Sequence, residues 1–209
     1  MIVQELSNYG FSNSIVKLLE KRGIHELNPV QKKALATRFL ENNANLVVAS
    51  PTASGKTLIG ELAALNTIRK GKKVAYTCPL RALASEHYET FKKYKATGIN
   101  VALSIGDYDS SDSWLAKYDW CVTTNEKLDS LFRHRSKFIP NVGLLVVDEI
   151  HLLDSDRGPT LETVITRFKQ LFPKVQIVAL SATAPNAREI ADWLDAELVE
   201  SNWLSLIHI

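Results

Sequence analysis

Cysteine is scarce in this sequence: only two of the 209 residues are cysteines, Cys78 and Cys121. They lie far apart and neither belongs to a CxxC pair, so the sequence predicts no zinc site. Two cysteines without such a pattern are typical of a protein that stays in a reducing compartment. We therefore expect an intracellular protein.

Long apolar runs are also lacking, and none approaches the roughly 20 residues that span a bilayer. The first ten residues, MIVQELSNYG, have no basic lead followed by an apolar stretch, so a signal peptide is not indicated. Net charge is only +2, which excludes no partner but does not by itself indicate nucleic-acid binding. With 45% hydrophobic residues, the chain can bury a full core. We expect a soluble, cytoplasmic protein.

Short apolar runs alternate with amphipathic stretches from residue 45 to about residue 200. The predicted strands are Asn45–Ala49, Lys73–Thr77, Asn100–Ile105, Trp120–Thr123, Gly143–Val147, Gln176–Leu180 and Glu197–Val199. The predicted helices are Ser12–Lys21, Pro29–Leu40, Lys56–Arg69, Arg81–Tyr94, Glu126–Arg133, Thr160–Phe172 and Ala187–Trp193. Strands that are apolar on both faces and alternate with helices predict an α/β fold, a doubly wound parallel sheet with helices on both faces.

Polar motifs follow six of these predicted strands, after Ala49, Thr77, Ile105, Thr123, Val147 and Leu180. Ligands of such sheets bind beyond the carboxyl ends of the strands. The shared edge therefore predicts one composite site.

A phosphate-binding loop is predicted directly after the first strand. Its candidate nucleotide-binding residues are Ser50, Pro51, Thr52, Ala53, Ser54, Gly55, Lys56 and Thr57. Ser50 stands where the GxxxxGK[ST] pattern has its first glycine, whereas Gly55, Lys56 and Thr57 match it. Gly55 would let the backbone approach the phosphates, Lys56 would reach the terminal phosphates, and Thr57 would bind Mg²⁺. The alternative is an ordinary turn before a helix that carries a surface lysine.

Asp148 and Glu149 follow the apolar run Leu144–Val147. At the end of a buried strand, Asp148 is expected to hold Mg²⁺ and Glu149 to act as the base for an attacking water. The alternative is a pair of solvated carboxylates in a turn. ATP and Mg²⁺ are thus the predicted ligands, with Lys56, Asp148 and Glu149 as the catalytic residues.

Gln31 allows two compatible interpretations. With Asn28 and Pro29 it forms the pattern of a helix start, in which Gln31 closes a capping box. Its amide also offers a donor and an acceptor that match the edge of adenine. The residues alone favour the capping box.

Taken together, these segments resemble superfamily 2 helicases of the DExH type. The resemblance is strongest to the Ski-two-like group, in particular to archaeal DNA-repair helicases that act at forks. The segments that carry it are LNPVQ, ASPTASGKT, PLRALASE, GDYDSSDSWL, TTNEKLDSLFRH, VVDEIHLL, RGPTLE and ALSATAPNAREIADWL. It implies an N-terminal helical segment at residues 1–42, a RecA-like ATP-binding lobe at residues 43–203, and Gln31 as an adenine contact.

The resemblance also implies functional roles for residues that, without it, would be interpreted as purely structural. The expected contacts to a single-strand backbone are Pro79, Arg81, Thr123, Thr124 and Lys127, with weaker support for Gly106, Asp107 and Tyr108. The expected coupling residues are His151, Ser181 and Thr183. The alternatives are helix capping and β-propensity for the threonines, a surface side chain for Arg81, a turn histidine for His151, and turn caps for Ser181 and Thr183.

A helicase of this type is expected to translocate 3′ to 5′ on single-stranded or forked DNA, and RNA is an alternative substrate. It also needs a second RecA-like lobe and accessory domains, for which the residues after 203 leave no room. We expect residues 204–209, LSLIHI, to be a non-native tail, and the alternative is an ordinary apolar strand end. A non-catalytic nucleotide-binding module is a further alternative, and a P-loop kinase would leave the SAT and TTNEK segments unexplained.

Overall fold

Seven runs of β-branched and aliphatic residues form one sheet in the computed structural model, which describes residues 1–106, 112–182 and 185–201. The strands are β1 (Asn45–Ala49), β2 (Lys73–Cys78), β3 (Val101–Ser104), β4 (Trp120–Thr124), β5 (Val142–Val147), β6 (Gln176–Ser181) and β7 (Ala196–Glu200). Their order is β3-β4-β2-β5-β6-β1-β7, and all neighbouring pairs are parallel. Because parallel strands share one carboxyl edge, the segments that follow β1, β5 and β6 meet there.

Helices cover both faces of the sheet. They are α1 (Asn13–Lys21), α2 (Pro29–Ala36), α3 (Phe39–Asn42), α4 (Lys56–Arg69), α5 (Arg81–Phe91), α6 (Asn125–Arg133), α7 (Gly158–Leu171) and α8 (Ala187–Leu194). Short 3₁₀ segments lie at Val3–Tyr9, Lys92–Thr97, Ser113–Lys117, Ile139–Asn141 and Ile150–Asp154. Within the described ranges, no helix is long and apolar enough to cross a membrane.

Two apolar cores, one on each face of the sheet, hold these layers together. One core joins α1–α5 to residues such as Tyr76 and Trp120, and the other joins α6–α8 to residues such as Leu145 and Ile177. The N-terminal segment, residues 1–42, contributes to the first core, since Leu19 and Phe39 are fully buried in it. The predicted doubly wound α/β class is confirmed.

Most predicted element positions are confirmed, and β1 and α4 match residue for residue. The single helix predicted at Pro29–Leu40 is wrong. The backbone turns at Arg38, whose φ is 60°, and α3 begins after it. This turn ends α2 at Ala36 and allows Phe39 and Leu40, which are adjacent in sequence, both to be buried. The 3₁₀ segment Val3–Tyr9 was not predicted, because it has no helical periodicity to detect.

An ion pair between the largely buried Arg22 and the buried Glu61 fastens the N-terminal segment to α4. Arg22 donates from its two terminal nitrogens to the two carboxylate oxygens of Glu61, at 2.5 and 2.8 Å. The Tyr94 hydroxyl accepts from Arg22 at 2.9 Å and donates to Glu61 at 2.6 Å. Burial alone would lower the pKa of Arg22, but the Glu61 carboxylate outweighs it and raises that pKa above its usual value. Both charges are thus held by paired hydrogen bonds.

We predict that Glu61→Ala will lower the free energy of unfolding by about 3 kcal/mol, because it leaves the largely buried Arg22 guanidinium without its carboxylate partner. Denaturant unfolding followed by circular dichroism measures this loss. Glu26→Ala is the matched control, because Glu26 pairs with Lys32 while remaining 64% exposed. The control should leave the unfolding midpoint unchanged, and equal losses in the two variants would contradict the assignment.

Candidate active site

The loop between β1 and α4 is shaped by one glycine. Gly55 has a φ of 77°, a left-handed conformation that favours glycine, and α4 starts at the next residue, Lys56. A Cβ atom on Gly55 would lie 2.6 Å from the side-chain amide nitrogen of Gln31 and 2.7 Å from the side-chain amide nitrogen of Asn28. Glycine is therefore favoured at this position, because a larger residue would be strained at this φ and would displace the two side-chain amides. As a result, the first amides of α4 face the carboxyl edge of the sheet.

Lys56 lies half-buried across this loop. Its ammonium donates to the carbonyl oxygens of Ser50 and Pro51, at 2.7 and 2.9 Å. Burial lowers the pKa of Lys56, and the nearby carboxylates of Glu149 and Asp148 oppose this shift. The lysine charge is thus stabilised by the acidic pair that was expected to bind Mg²⁺ and the attacking water.

Asp148 and Glu149 are held at the end of β5 by backbone contacts. The Asp148 amide donates to the Thr77 carbonyl at 2.9 Å, and the Glu149 amide donates to the Asp148 carboxylate at 3.1 Å. Glu149 has a φ of 55°, which is strained for a residue other than glycine. Such strain persists where surrounding contacts fix the backbone, and it is common at functional sites.

The loop and the acidic pair line one cleft of about 300 Å³. Its walls are Thr52, Ala53, Ser54, Gly55, Lys56, Thr57, Leu83, Glu86, His87, Asp148 and Glu149. Of the predicted nucleotide-binding residues, Ser50 and Pro51 join this group through Lys56, and Gln31 joins it through Gly55. A wider concavity of about 1030 Å³ lies along β3, and none of the predicted site residues lines it.

His87 is a member of the cleft that the sequence analysis missed. It lies on α5, and its Nε2 is 2.8 Å from the Asp148 carboxylate. Its ring stacks on Phe91 and contacts Tyr76, with ring centroids 5.5 and 5.1 Å apart. The available signal was that Leu83 and His87, four residues apart, share one face of a helix that follows β2.

Gln31 forms the capping box that the residues favoured. The Asn28 side chain accepts from the Gln31 amide at 3.0 Å, and the Gln31 side chain accepts from the Asn28 amide at 2.9 Å. The remaining side-chain nitrogens reach the phosphate loop: Gln31 donates to the Gly55 carbonyl at 3.0 Å and Asn28 to the Ser54 carbonyl at 2.8 Å. The Gln31 side-chain nitrogen carries two hydrogens, so one of them remains for a further hydrogen bond.

Ser181 lies at the end of β6, between β1 and β5. Its carbonyl accepts from the Ser50 amide at 3.2 Å, so it contacts the phosphate loop directly. His151 approaches the acidic pair, with its Nδ1 3.3 Å from the Glu149 carboxylate. Thr183 lies outside the described residues.

Four of the five main predicted backbone-contact residues are buried inside the lobe: Pro79, Thr123, Thr124 and Lys127. Thr123 donates to the Ser104 carbonyl at 2.7 Å, and the Thr124 hydroxyl caps α6 by accepting from the Lys127 amide at 3.3 Å. The Lys127 ammonium lies 3.2 Å from the Asp112 carboxylate and is 2% exposed. These contacts correspond to the capping and β-sheet alternatives.

Pro79 and Arg81, two further predicted backbone contacts, lie just before and at the start of α5. Arg81 is exposed at its first residue, whereas Pro79 is buried and its carbonyl accepts from Arg157. Gly106 is described, with a φ of 105°. Asp107 and Tyr108 lie outside the described residues. An exposed cation beside a helix N-terminus is suited to phosphate binding. The alternative, an ordinary surface side chain, fits the same position of Arg81.

Comparisons with known proteins agree with this arrangement. The family model for DEAD/DEAH box helicases matches residues 28–190. The ATP-dependent DNA helicase Hel308 of Pyrococcus abyssi is 50% identical over 194 residues, which are 92% of this chain and 27% of that protein. Hel308 of Methanocaldococcus jannaschii is 50% identical over 199 residues, 91% of this chain and 16% of that protein. This chain therefore spans about a quarter or less of the length of these two relatives.

A solved structure gives the same result. The DUF1998 helicase MrfA bound to DNA superposes with a TM-score of 0.77 at 26% identity, covering 92% of this chain and 30% of that one. The likeness extends over nearly the whole of the described lobe.

We predict that Asn28→Ala will destabilise the lobe by about 1 kcal/mol and increase amide hydrogen exchange in residues 51–56, because it removes a helix cap and a contact to the phosphate loop. Ser12→Ala is the matched control. Ser12 occupies the N-cap of α1 but makes no capping hydrogen bond there. Exchange in the loop that is equal in the two variants would contradict the proposed link between α2 and the loop.

Proposed function

The chain belongs to the DEAD/DEAH box helicase family, and we propose that it forms the ATP-binding lobe of an ATP-dependent DNA helicase. The observation that carries this proposal is the single cleft lined by Lys56, Asp148 and Glu149. The relatives named above are ATP-dependent DNA helicases, and this chain corresponds to a fraction of their length. ATP hydrolysis would drive movement along single-stranded or forked DNA, with the 3′-to-5′ direction that the family resemblance implies.

The phosphates of ATP would bind the loop and the start of α4. Backbone amides there, together with the Lys56 ammonium, form an anion site. One feature supports the fit: the buried hydroxyls of Ser50, Ser54 and Ser181 have no hydrogen-bond partner within the described part of the chain. Lys56 would exchange its two loop carbonyls for phosphate oxygens.

Thr57 and Asp148 would hold Mg²⁺, since hydroxyl and carboxylate oxygens are the ligands that this ion prefers. Bound there, Mg²⁺ would neutralise charge that develops on the phosphates. Glu149 would orient and deprotonate the attacking water, for which its fixed backbone supplies a defined position. His151, 3.3 Å from Glu149, would report the state of this carboxylate to a second lobe, and Ser181 would link the phosphate loop to β6.

The nucleic-acid strand would follow the same sheet edge. Arg81 is the exposed cation among the expected contacts, and Thr124 and Lys127 would act chiefly by ordering the first turn of α6, whose amides can bind phosphate. Thr123 and Pro79 would shape the backbone of this edge, and Thr183 remains a predicted coupling residue. Backbone contacts of this kind do not distinguish DNA from RNA, so the RNA helicase alternative rests on the same residues.

We predict that Lys56→Ala will weaken binding of ATP·Mg²⁺ by about 10- to 100-fold, the value of one charge-assisted hydrogen-bonding group. Titration calorimetry of the 209-residue chain measures it. Lys17→Ala, which removes an exposed charge from α1, should leave binding unchanged. Equal affinity of wild type and Lys56→Ala would reject the site.

We predict that Glu149→Gln will retain ATP·Mg²⁺ binding and lose hydrolysis by about 10²- to 10⁴-fold in the complete protein, the usual contribution of a general base. In the 209-residue chain, hydrolysis should already be low, because a helicase of this type is expected to take its arginine finger from the second RecA-like lobe. Loss of such a finger costs on the order of 10³–10⁵ in related phosphoryl-transfer enzymes. Unchanged turnover of Glu149→Gln would refute the role of Glu149. A non-catalytic nucleotide-binding module would show no hydrolysis with either residue.

The substrate is tested by stimulation of ATP hydrolysis. Because the relatives named above are DNA helicases, we expect single-stranded DNA to stimulate the complete protein more than single-stranded RNA of the same sequence. Both are compared at the same salt concentration. Greater stimulation by RNA would replace the DNA helicase proposal with the RNA alternative.

A further inference from the structure

Three side chains with metal-binding atoms meet behind the cleft. Cys78 is the last residue of β2, Asp148 directly follows the neighbouring strand β5, and His87 lies on α5. Their sulfur, nitrogen and oxygen atoms all lie within 4.8 Å of one another. The shortest separation is 2.8 Å, between His87 Nε2 and Asp148 Oδ2. In the described part of the chain, no second group of three such side chains reaches this spacing.

These donors differ in chemistry from those of the expected magnesium site. Mg²⁺ binds oxygen ligands, whereas a thiolate and an imidazole are typical ligands of Zn²⁺ and of its substitute Co²⁺. Three protein ligands with a fourth position left open form the usual arrangement of an accessible zinc site. His87 and Asp148 also line the cleft, so a water or a ligand from that side could fill the fourth position.

The surroundings of the three residues are rigid. Cys78 is fully buried and free, and Asp148 is 7% exposed. The Asp148 backbone amide is held by the Thr77 carbonyl, and the His87 ring packs against both Tyr76 and Phe91. Buried strands and packed rings hold potential ligands in place and so reduce the ordering cost of metal binding.

We propose that Cys78, His87 and Asp148 form a binding site for a thiophilic divalent cation of the Zn²⁺ class, which competes with ATP·Mg²⁺ for Asp148. The competition rests on the proposed function, whereas the metal site itself does not. Zinc bonds of about 2.1 Å to nitrogen and oxygen imply a separation of about 3.4 Å between those ligands. The His87–Asp148 hydrogen bond would therefore open slightly as the ion replaces it, and the Cys78 thiol would release its proton to solvent.

The metal site is tested with Co²⁺ added to the 209-residue chain without a polyhistidine tag and without nucleotide. We expect one equivalent to bind with a thiolate-to-cobalt absorption band, and Zn²⁺ to displace it. Cys78→Ser should abolish the band. Cys121→Ser should retain it, because Cys121 is the other free, buried cysteine and lies outside the cluster. His87→Gln should weaken Co²⁺ binding by about tenfold or more.

Absence of the band from the wild-type chain overturns the proposal, as does its persistence in Cys78→Ser or its loss in Cys121→Ser with the fold intact. Circular dichroism checks that each variant is folded. If Cys78→Ser does not fold, His87→Gln decides, since unchanged Co²⁺ affinity in that variant also overturns the assignment.

The competition is tested by adding ATP·Mg²⁺ to the cobalt-loaded chain. We expect the thiolate band to decrease, and Zn²⁺ to weaken ATP·Mg²⁺ binding in the wild type but not in Cys78→Ser. An unchanged band, under conditions in which the metal-free chain binds ATP·Mg²⁺, overturns the shared use of Asp148. A chain that binds Co²⁺ through Cys78 but never binds ATP·Mg²⁺ supports the metal site and rejects the proposed function instead.

Discussion

The order of three neighbouring parallel strands, β5, β6 and β1, is the constraint on which the rest of this lobe depends. Their carboxyl ends bring the acidic pair, Ser181 and the phosphate loop to one edge, although these segments are far apart in sequence. Two backbone hydrogen bonds at this edge fix the arrangement: the Thr77 carbonyl binds the Asp148 amide, and the Ser181 carbonyl binds the Ser50 amide. The geometry of the cleft is therefore determined by the pairing of the sheet.

The N-terminal segment adds a second constraint from outside the sheet. Asn28 and Gln31 cap α2 and donate hydrogen bonds to carbonyls of the phosphate loop. Arg22 binds Glu61 on α4, the helix that follows the loop. Gly55 leaves the room that these contacts need. The segment and the loop therefore form one packed unit. A change in α2 is expected to alter the conformation of the loop as well as the stability of the helix.

Sequence analysis predicted the elements whose signals are local. The continuous apolar run of β1 and the Gly55–Lys56 start of α4 specify a strand, a turn and a helix without any tertiary information, and both elements were predicted to the residue. The turn at Arg38 was missed because it depends on burying Phe39 and Leu40 together. The contact of His87 with Asp148 was missed because it joins residues 61 positions apart on different elements. Their meeting depends on the β2–β5 pairing, which periodicity does not reveal.

The roles of individual site residues were predictable only as far as their chemistry is independent of neighbours. Lys127 was expected on a surface that contacts nucleic acid, but its ammonium is buried beside Asp112, a contact that no local pattern indicates.

The most direct test of the proposed site is a crystal structure of the chain with a non-hydrolysable ATP analogue and Mg²⁺. The expected result places the phosphates at Lys56 and the metal between Thr57 and Asp148. A nucleotide bound elsewhere on the lobe, with this cleft empty, would contradict it.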